Sequence, residues 1–223
     1  MIRKIISGIA ALTLLCRAVC HAEDLSQYLN GRAVNVIESD DSIDIYARYS
    51  MEGKASEYVI PNTQITYEEA FPRGIKDMWE GEYHGKPVKV HLEKVDAADE
   101  NEKIKVKFDI VHDTESFSCA SVGYDKNIWI YSGDGRDVTS IFYSYSWYTY
   151  AAGHEFGHAA LSLPDVYADD KLKDCLATPM NNHATLHAQE VDYYMLLTHR
   201  TWEIDGLYQY SDDMDSISKY LTH

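Results

Sequence analysis

The chain has 223 residues, 45% of them hydrophobic, and a formal net charge of −16. This length and apolar fraction are sufficient for one domain with a substantial core. The excess of acidic side chains argues against nucleic acids and anionic membranes as partners, because their phosphates repel a protein of this charge.

The first 22 residues have the order of a secretory signal peptide. Arg3 and Lys4 precede an apolar stretch that is too short to span a bilayer comfortably, and the segment ends in small residues up to Ala22. We therefore expect residues 1–22 to be removed and the protein to be secreted or periplasmic. A buried N-terminal helix is the alternative interpretation.

Strand patterns dominate the first half of the remaining chain. The alternating stretches "AVNVIE" and "SIDIYARYS" predict two strands near residues 33–58. They fall largely in segment 23–60, which the sequence leaves open as part of the fold, an N-terminal extension or a propeptide. Three further strands are predicted at "KPVKVHLEKV", "EKIKVKFDIVHD" and "KNIWIYSG", the last of them at the edge of the sheet.

Helical patterns lie between and after these strands. The first helix is predicted near residues 64–83, with its first half interrupted by Pro72 and Gly74. A long helix is predicted over 138–163, capped by Asp137, and a last helix over 183–202. Without a linker or repeat, residues 23–223 are expected to form one α+β domain.

Four cysteines are divided between the two parts of the chain. Cys16 and Cys20 lie in the expected signal peptide, which leaves Cys119 and Cys175. In an oxidising compartment, this remaining pair predicts one disulfide, and two buried free thiols are the alternative.

The main functional signal is "HEFGH", in which His154 and His158 are four residues apart and Glu155 follows the first histidine. On a helix, the two imidazoles lie on one face and can bind one Zn²⁺, while Glu155 on the adjoining flank can act as general base toward a water. Small side chains surround the histidines, which we interpret as room for a metal and a substrate. The alternative is an ordinary helix with two hydrogen-bonded core histidines.

The longer run "HEFGHAALSLPDVY" resembles the extended motif of the metzincin-like zinc peptidases. The likeness is closest to the small secreted bacterial peptidases of the snapalysin type, in which an aspartate in a Leu-Pro-Asp run is the third metal ligand. A one-residue insertion in "AAL" places Ser162 where the family has glycine and Asp165 on the metal. Because serine adopts the left-handed conformation less readily than glycine, the helix exit is expected to differ locally.

This resemblance covers roughly residues 104–197 and implies a zincin-like fold. Its expected parts are a mixed twisted sheet, an active-site helix carrying the motif and a small C-terminal helical subdomain. Met180 stands where these families carry a methionine turn beneath the metal. A lone methionine more often fills a core.

Several residues compete for the remaining roles. Glu190 would be the third ligand in a thermolysin-like plan, and His183 or His187 can also reach back toward the metal. Tyr167 is a candidate donor to the oxyanion, although most tyrosines serve packing. The loop also carries acidic residues that suit either calcium or a solvated surface, namely Asp169, Asp170 and Asp174.

The sequence as a whole predicts a secreted, monomeric, zinc-dependent endopeptidase acting on peptides or proteins. Water would attack directly, without a covalent intermediate. Two alternatives remain open: a catalytically idle zincin-like binding module, and a zinc hydrolase acting on cell-wall peptides.

Overall fold

The computed structural model describes residues 24–111, 119–120, 127–133, 144–181, 185–199 and 210–221. The strands are β1 (Val34–Glu38), β2 (Ile43–Glu52), β3 (Gly81–Tyr83), β4 (Lys86–Lys94), β5 (Ile104–Val111), β6 (Cys119–Ala120) and β7 (Asn127–Gly133). The α-helices are α1 (Ser26–Leu29), α2 (Tyr67–Trp79), α3 (Tyr145–Leu161), α4 (Glu190–His199) and α5 (Met214–Ile217). Within these ranges, no helix has both the length and the apolar character needed to cross a membrane.

The seven strands form one mixed sheet, in which six follow the order β3-β4-β2-β5-β7-β6 and β1 pairs with β2 outside this path. Strand β2 runs parallel to β4 and β5, and β5 runs parallel to β7, whereas β1, β3 and β6 are antiparallel additions. This arrangement confirms the α+β class. It also places β1 and β2, both from segment 23–60, in the sheet, with β2 at its centre.

Strand β7 is not an edge strand, contrary to the sequence prediction. The two residues of β6 pair with it antiparallel, with Cys119 opposite Trp129 and Ala120 opposite Ile128. A two-residue strand leaves no periodic pattern from which the sequence reveals it.

Helix α2 is continuous through Pro72 and Gly74, where an interruption was predicted. Its start is fixed by a capping box, in which the Thr66 side chain accepts from the Glu69 backbone and the Glu69 side chain accepts from the Thr66 backbone. The helix ends at Trp79, and the last predicted helical residues instead form β3.

The helix carrying the motif is shorter than predicted, because it begins at Tyr145. Ser144 is extended and its side chain accepts a hydrogen bond from Trp147 N, so Ser144 and not Asp137 is the N-cap. Residues 138–143 lie outside the described part of the chain. The last predicted helix likewise starts late, at Glu190.

Helices α2 and α3 pack closely at glycines. A Cβ at Gly74 would lie 2.2 Å from the Thr149 carbonyl oxygen, and a Cβ at Gly153 would lie 2.8 Å from Met78. Trp79 Nε1 donates to the Gly153 carbonyl at 2.8 Å, which joins the two helices. Gly153 therefore provides helix contact, and the predicted role of space for a substrate is wrong at this position.

Candidate metal centre

Two imidazoles meet on one face of α3. His154 and His158 are both buried, and their Nε2 atoms lie 3.2 Å apart. Residues four apart on a helix lie one above the other, so the sequence spacing alone accounts for this convergence. The two ring planes are perpendicular to each other, with centroids 4.8 Å apart.

The chain leaves α3 through Ser162, which brings Asp165 back to the histidines. Ser162 has φ 58° and ψ 30°, the left-handed conformation. Its N–H donates to the His158 carbonyl, and the next N–H, of Leu163, donates to the Gly157 carbonyl at 3.1 Å. Such bonds satisfy the last carbonyls of a helix. Ser162 thus adopts the left-handed conformation although serine does so less readily than glycine.

Asp165 Oδ1 completes a nearly equilateral triangle of donor atoms. It lies 3.3 Å from His154 Nε2 and 3.1 Å from His158 Nε2. A tetrahedral zinc ion with bonds of about 2.0 Å has its ligand atoms about 3.3 Å apart. His154, His158 and Asp165 therefore form a group that can hold a metal ion.

The chemistry of this donor set fits zinc. Two imidazole nitrogens and one carboxylate oxygen are preferred zinc ligands, whereas calcium takes oxygen ligands. Asp165 Oδ1 is buried and faces the Nε2 atoms of both imidazoles. Burial opposes the ionisation of Asp165, but contacts with both imidazoles and with Tyr167 outweigh it and hold its pKa well below its ordinary value.

Backbone carbonyls orient both imidazoles. His154 Nδ1 lies 2.9 Å from the Pro179 carbonyl oxygen, and His158 Nδ1 lies 2.6 Å from that of Leu163. An Nδ1–H that donates to a carbonyl leaves the Nε2 lone pair for a metal, which is the usual outer arrangement around metal-bound histidines. The Tyr150 hydroxyl donates to the same Pro179 oxygen at 2.7 Å.

Sequence reasoning did not identify Pro179, Leu163 or Tyr150 as part of this site. The first two act through carbonyl oxygens that every residue carries, so their side chains give no signal. Only the position of Pro179 next to Met180 would have drawn attention to it.

Glu155 lies beside the donor triangle and outside it. Its side chain is buried, and Oε2 has no hydrogen-bond partner among the residues described. Burial raises the pKa of Glu155 to about 7, because the opposing effect of His154 is partly cancelled by the negative charge of Asp165. A carboxyl group with a pKa near the working pH is suited to accepting and returning a proton.

Tyr167 and Met180 both lie close to the histidine pair. Tyr167 is 46% exposed, and its ring stacks near that of His154, with centroids 6.4 Å apart. Burial and the neighbouring Asp165 raise the pKa of Tyr167, so the hydroxyl keeps its proton at neutral pH. Met180 is fully buried, and its Sδ would lie 2.7 Å from a Cβ at Gly157, between the two histidines along α3.

The rival third ligands lie elsewhere or outside the described chain. Glu190 is exposed at the first position of α4, and His187 is exposed with its Nδ1 2.7 Å from the Asp77 carbonyl oxygen. Neither belongs to the group of His154, His158 and Asp165 that can hold a metal ion. His183 falls outside the described residues.

The remaining predictions from the sequence concern residues of the loop after the motif. Asp170 and Asp174 are exposed, and Asp170 pairs with Lys173 at 2.8 Å. Asp169 is buried and accepts from Lys171 N. Among the described residues, none of these three acids belongs to a group that can hold a metal ion. The disulfide between Cys119 and Cys175 stays a prediction, because the Cys119 side chain lies outside the described residues.

Comparisons with protein-family models, with curated proteins and with solved structures gave no match.

Proposed function

We propose that this protein is a zinc-dependent endopeptidase of the metzincin-like kind. The observation that carries the proposal is the convergence of His154 Nε2, His158 Nε2 and Asp165 Oδ1 within 3.1 to 3.3 Å of one another. Zinc bound there supplies Lewis acidity, which lowers the pKa of water and polarises a peptide carbonyl. The three residues would hold the ion and leave a fourth position open.

Glu155 makes this a proposal about catalysis and not only about metal binding. Its buried Oε2 atom has no hydrogen-bond partner in the described structure, so it is available to accept a proton from an attacking water. The carboxyl then returns the proton to the leaving amine. The half-exposed Tyr167 keeps its hydroxyl proton and can donate it in a hydrogen bond to the developing oxyanion.

The order of parts along the chain supports the metzincin-like assignment. A helix carries the two histidines, a left-handed residue ends it, an aspartate returns to the histidines, and a buried methionine packs beneath them. We further propose that residues 1–22 direct the protein to secretion and that its substrates are peptides or proteins. Secretion would be refuted if the protein isolated outside the cytoplasm still began at Met1, or if none were found there.

Replacing Glu155 with Gln tests the mechanism. The amide has the same shape and is not a ligand, so zinc content should match the wild type. Peptide cleavage should fall by on the order of 10²-fold or more, because the general base is lost. The two measurements are metal content by mass spectrometry and cleavage of an unbiased peptide library.

The outcomes separate peptidase from binding module. A Gln variant that cleaves as fast as the wild type would refute the assigned role of Glu155. A wild-type protein that binds zinc and cleaves no member of the library would instead favour an idle binding module.

A further inference from the structure

A carboxylate outside the metal centre is completely buried. Asp192, in the first turn of α4, has 0% exposure, and three donors point at it. Thr178 Oγ1 and the Tyr210 hydroxyl donate to Oδ1, at 2.5 and 2.9 Å, and Gln189 N donates to Oδ2 at 2.8 Å. Burial raises the pKa of Asp192 to about 6, against these donors, so the group is mainly ionised at neutral pH and accepts with both oxygens.

One of these donors leads directly to the metal centre. Thr178 is fully buried, and its Oγ1 also accepts from Met180 N at 3.1 Å. The residue between them, Pro179, supplies the carbonyl that orients His154. A buried carboxylate therefore fixes the turn 178–180, which contains that carbonyl.

The same turn also reaches the third ligand. The Met180 carbonyl accepts from Val166 N at 2.9 Å, and Val166 directly follows Asp165. Displacement of the turn would thus disturb two of the three donor atoms together. Groups that orient metal ligands typically contribute 10- to 100-fold to metal affinity.

We propose that Asp192 is a positioning residue of the metal centre, acting through Thr178 on the turn that orients His154 and Asp165. This inference rests on the metal centre of the proposed function. It does not require peptidase activity, because its readout is metal binding.

Four single variants and one double variant, Asp192→Ala with Thr178→Val, test the pathway. Asp192→Ala and Thr178→Val each break the link between α4 and the turn. Tyr210→Phe is the matched control, since it removes a hydroxyl donor from the same Asp192 oxygen while the Thr178 hydroxyl keeps its bonds to Asp192 and to Met180 N. The probes are Zn²⁺ and Co²⁺ alone. Affinity is measured by chelator competition, and ligand geometry is read from the visible spectrum of the Co²⁺-loaded protein.

We expect Asp192→Ala and Thr178→Val each to weaken Zn²⁺ binding roughly 10- to 100-fold and to change the Co²⁺ spectrum. The double variant should be no weaker than the worse single variant, because both changes interrupt one pathway. Tyr210→Phe should bind within about twofold of wild type, and Thr178→Ser, which keeps the hydroxyl, should restore binding.

Each contrary result overturns a specific statement. Equal losses of Zn²⁺ affinity in Thr178→Val and Tyr210→Phe would show a general effect of destabilisation. An unchanged Zn²⁺ affinity in Thr178→Val would refute the proposed pathway through Thr178. If Asp192→Ala does not fold, the Zn²⁺ affinities of Thr178→Val, Thr178→Ser and Tyr210→Phe still test whether the Thr178 hydroxyl supports the metal centre. A wild-type protein without Zn²⁺ affinity would refute the metal centre itself, whereas a wild type that binds and variants that bind equally would refute only the role of Asp192.

Discussion

The choice of the third metal ligand can be tested by comparing Asp165→Ala with Glu190→Ala. Both substitutions remove one carboxylate from the same chain. Asp165 Oδ1 lies 3.1 and 3.3 Å from the two imidazole Nε2 atoms, whereas Glu190 is exposed on α4 and outside the group. Only the first substitution should therefore affect zinc binding.

The size of the effect follows from linkage between binding and folding. The donor triangle already has nearly the tetrahedral spacing of zinc, so binding needs little rearrangement. At a free zinc concentration 100 times the dissociation constant, the metal stabilises the fold by about 2.7 kcal/mol. For a chain of this length, this corresponds to a rise in Tm of about 5 to 11 °C.

Loss of an inner ligand should exceed the 10- to 100-fold cost of losing an outer one. If the dissociation constant rises 100-fold in Asp165→Ala, the same zinc concentration contributes only about 0.4 kcal/mol, or about 1 °C in Tm. Glu190→Ala should keep the full wild-type increment. Because each variant is compared with itself before and after zinc addition, its own stability cancels.

The assay is a thermal unfolding series at increasing free zinc, with zinc content after dialysis against a weak chelator as a second measurement. A zinc-dependent Tm increment retained in Asp165→Ala and lost in Glu190→Ala would refute the metzincin-like ligand set and favour the thermolysin-like one. If both variants keep the increment, His183 becomes the ligand to test.

Three further predictions concern the fold. Ser162→Gly should raise the free energy of unfolding by roughly 0.5 to 1 kcal/mol, because removal of the left-handed penalty exceeds the entropy cost of glycine; a lower Tm would contradict this. Gly74→Ala should lower the free energy of unfolding by about 1 to 3 kcal/mol or more, since the new Cβ would meet Thr149 backbone atoms. An unchanged midpoint of urea unfolding would exclude this close contact. Intact-mass measurement without reductant should find Cys119 and Cys175 paired, with reduction costing about 2 to 4 kcal/mol; two thiols alkylated in the native protein would reject the pair.

The strands and the histidine pair of the metal centre could be predicted from the sequence, because each depends on a local repeat. Alternation along residues 43–52 follows from a strand with one face in the main core and Tyr46 packed on the other face against α1. The spacing of His154 and His158 follows from the helix repeat. In both cases the signal lies within ten residues of chain.

Other features depended on helix caps and on packing, which the hydrophobic periodicity does not reveal. The sequence predicted a helix from residue 138 with Asp137 as its cap, but Ser144 provides the cap at which the helix begins. Gly74 was interpreted as a helix interruption, whereas its role is close approach to Thr149. The left-handed conformation of Ser162 was discounted on intrinsic preference alone, whereas the backbone hydrogen bonds to the His158 and Gly157 carbonyls favour it at this helix end.

The central position of β2 has a consequence for how the chain folds. Ile43 pairs with Val88 and Tyr49 pairs with Ile104. The first long strand along the chain therefore pairs with strands that lie much later in the sequence. Parallel pairs of this kind are formed late and slowly, because the intervening loop must close before any pairing energy is gained. Until then, β1 can cover only residues 43–47 on one edge of β2, and the rest of the strand remains open to other chains. We therefore expect refolding to take milliseconds to seconds and its yield to fall as protein concentration rises.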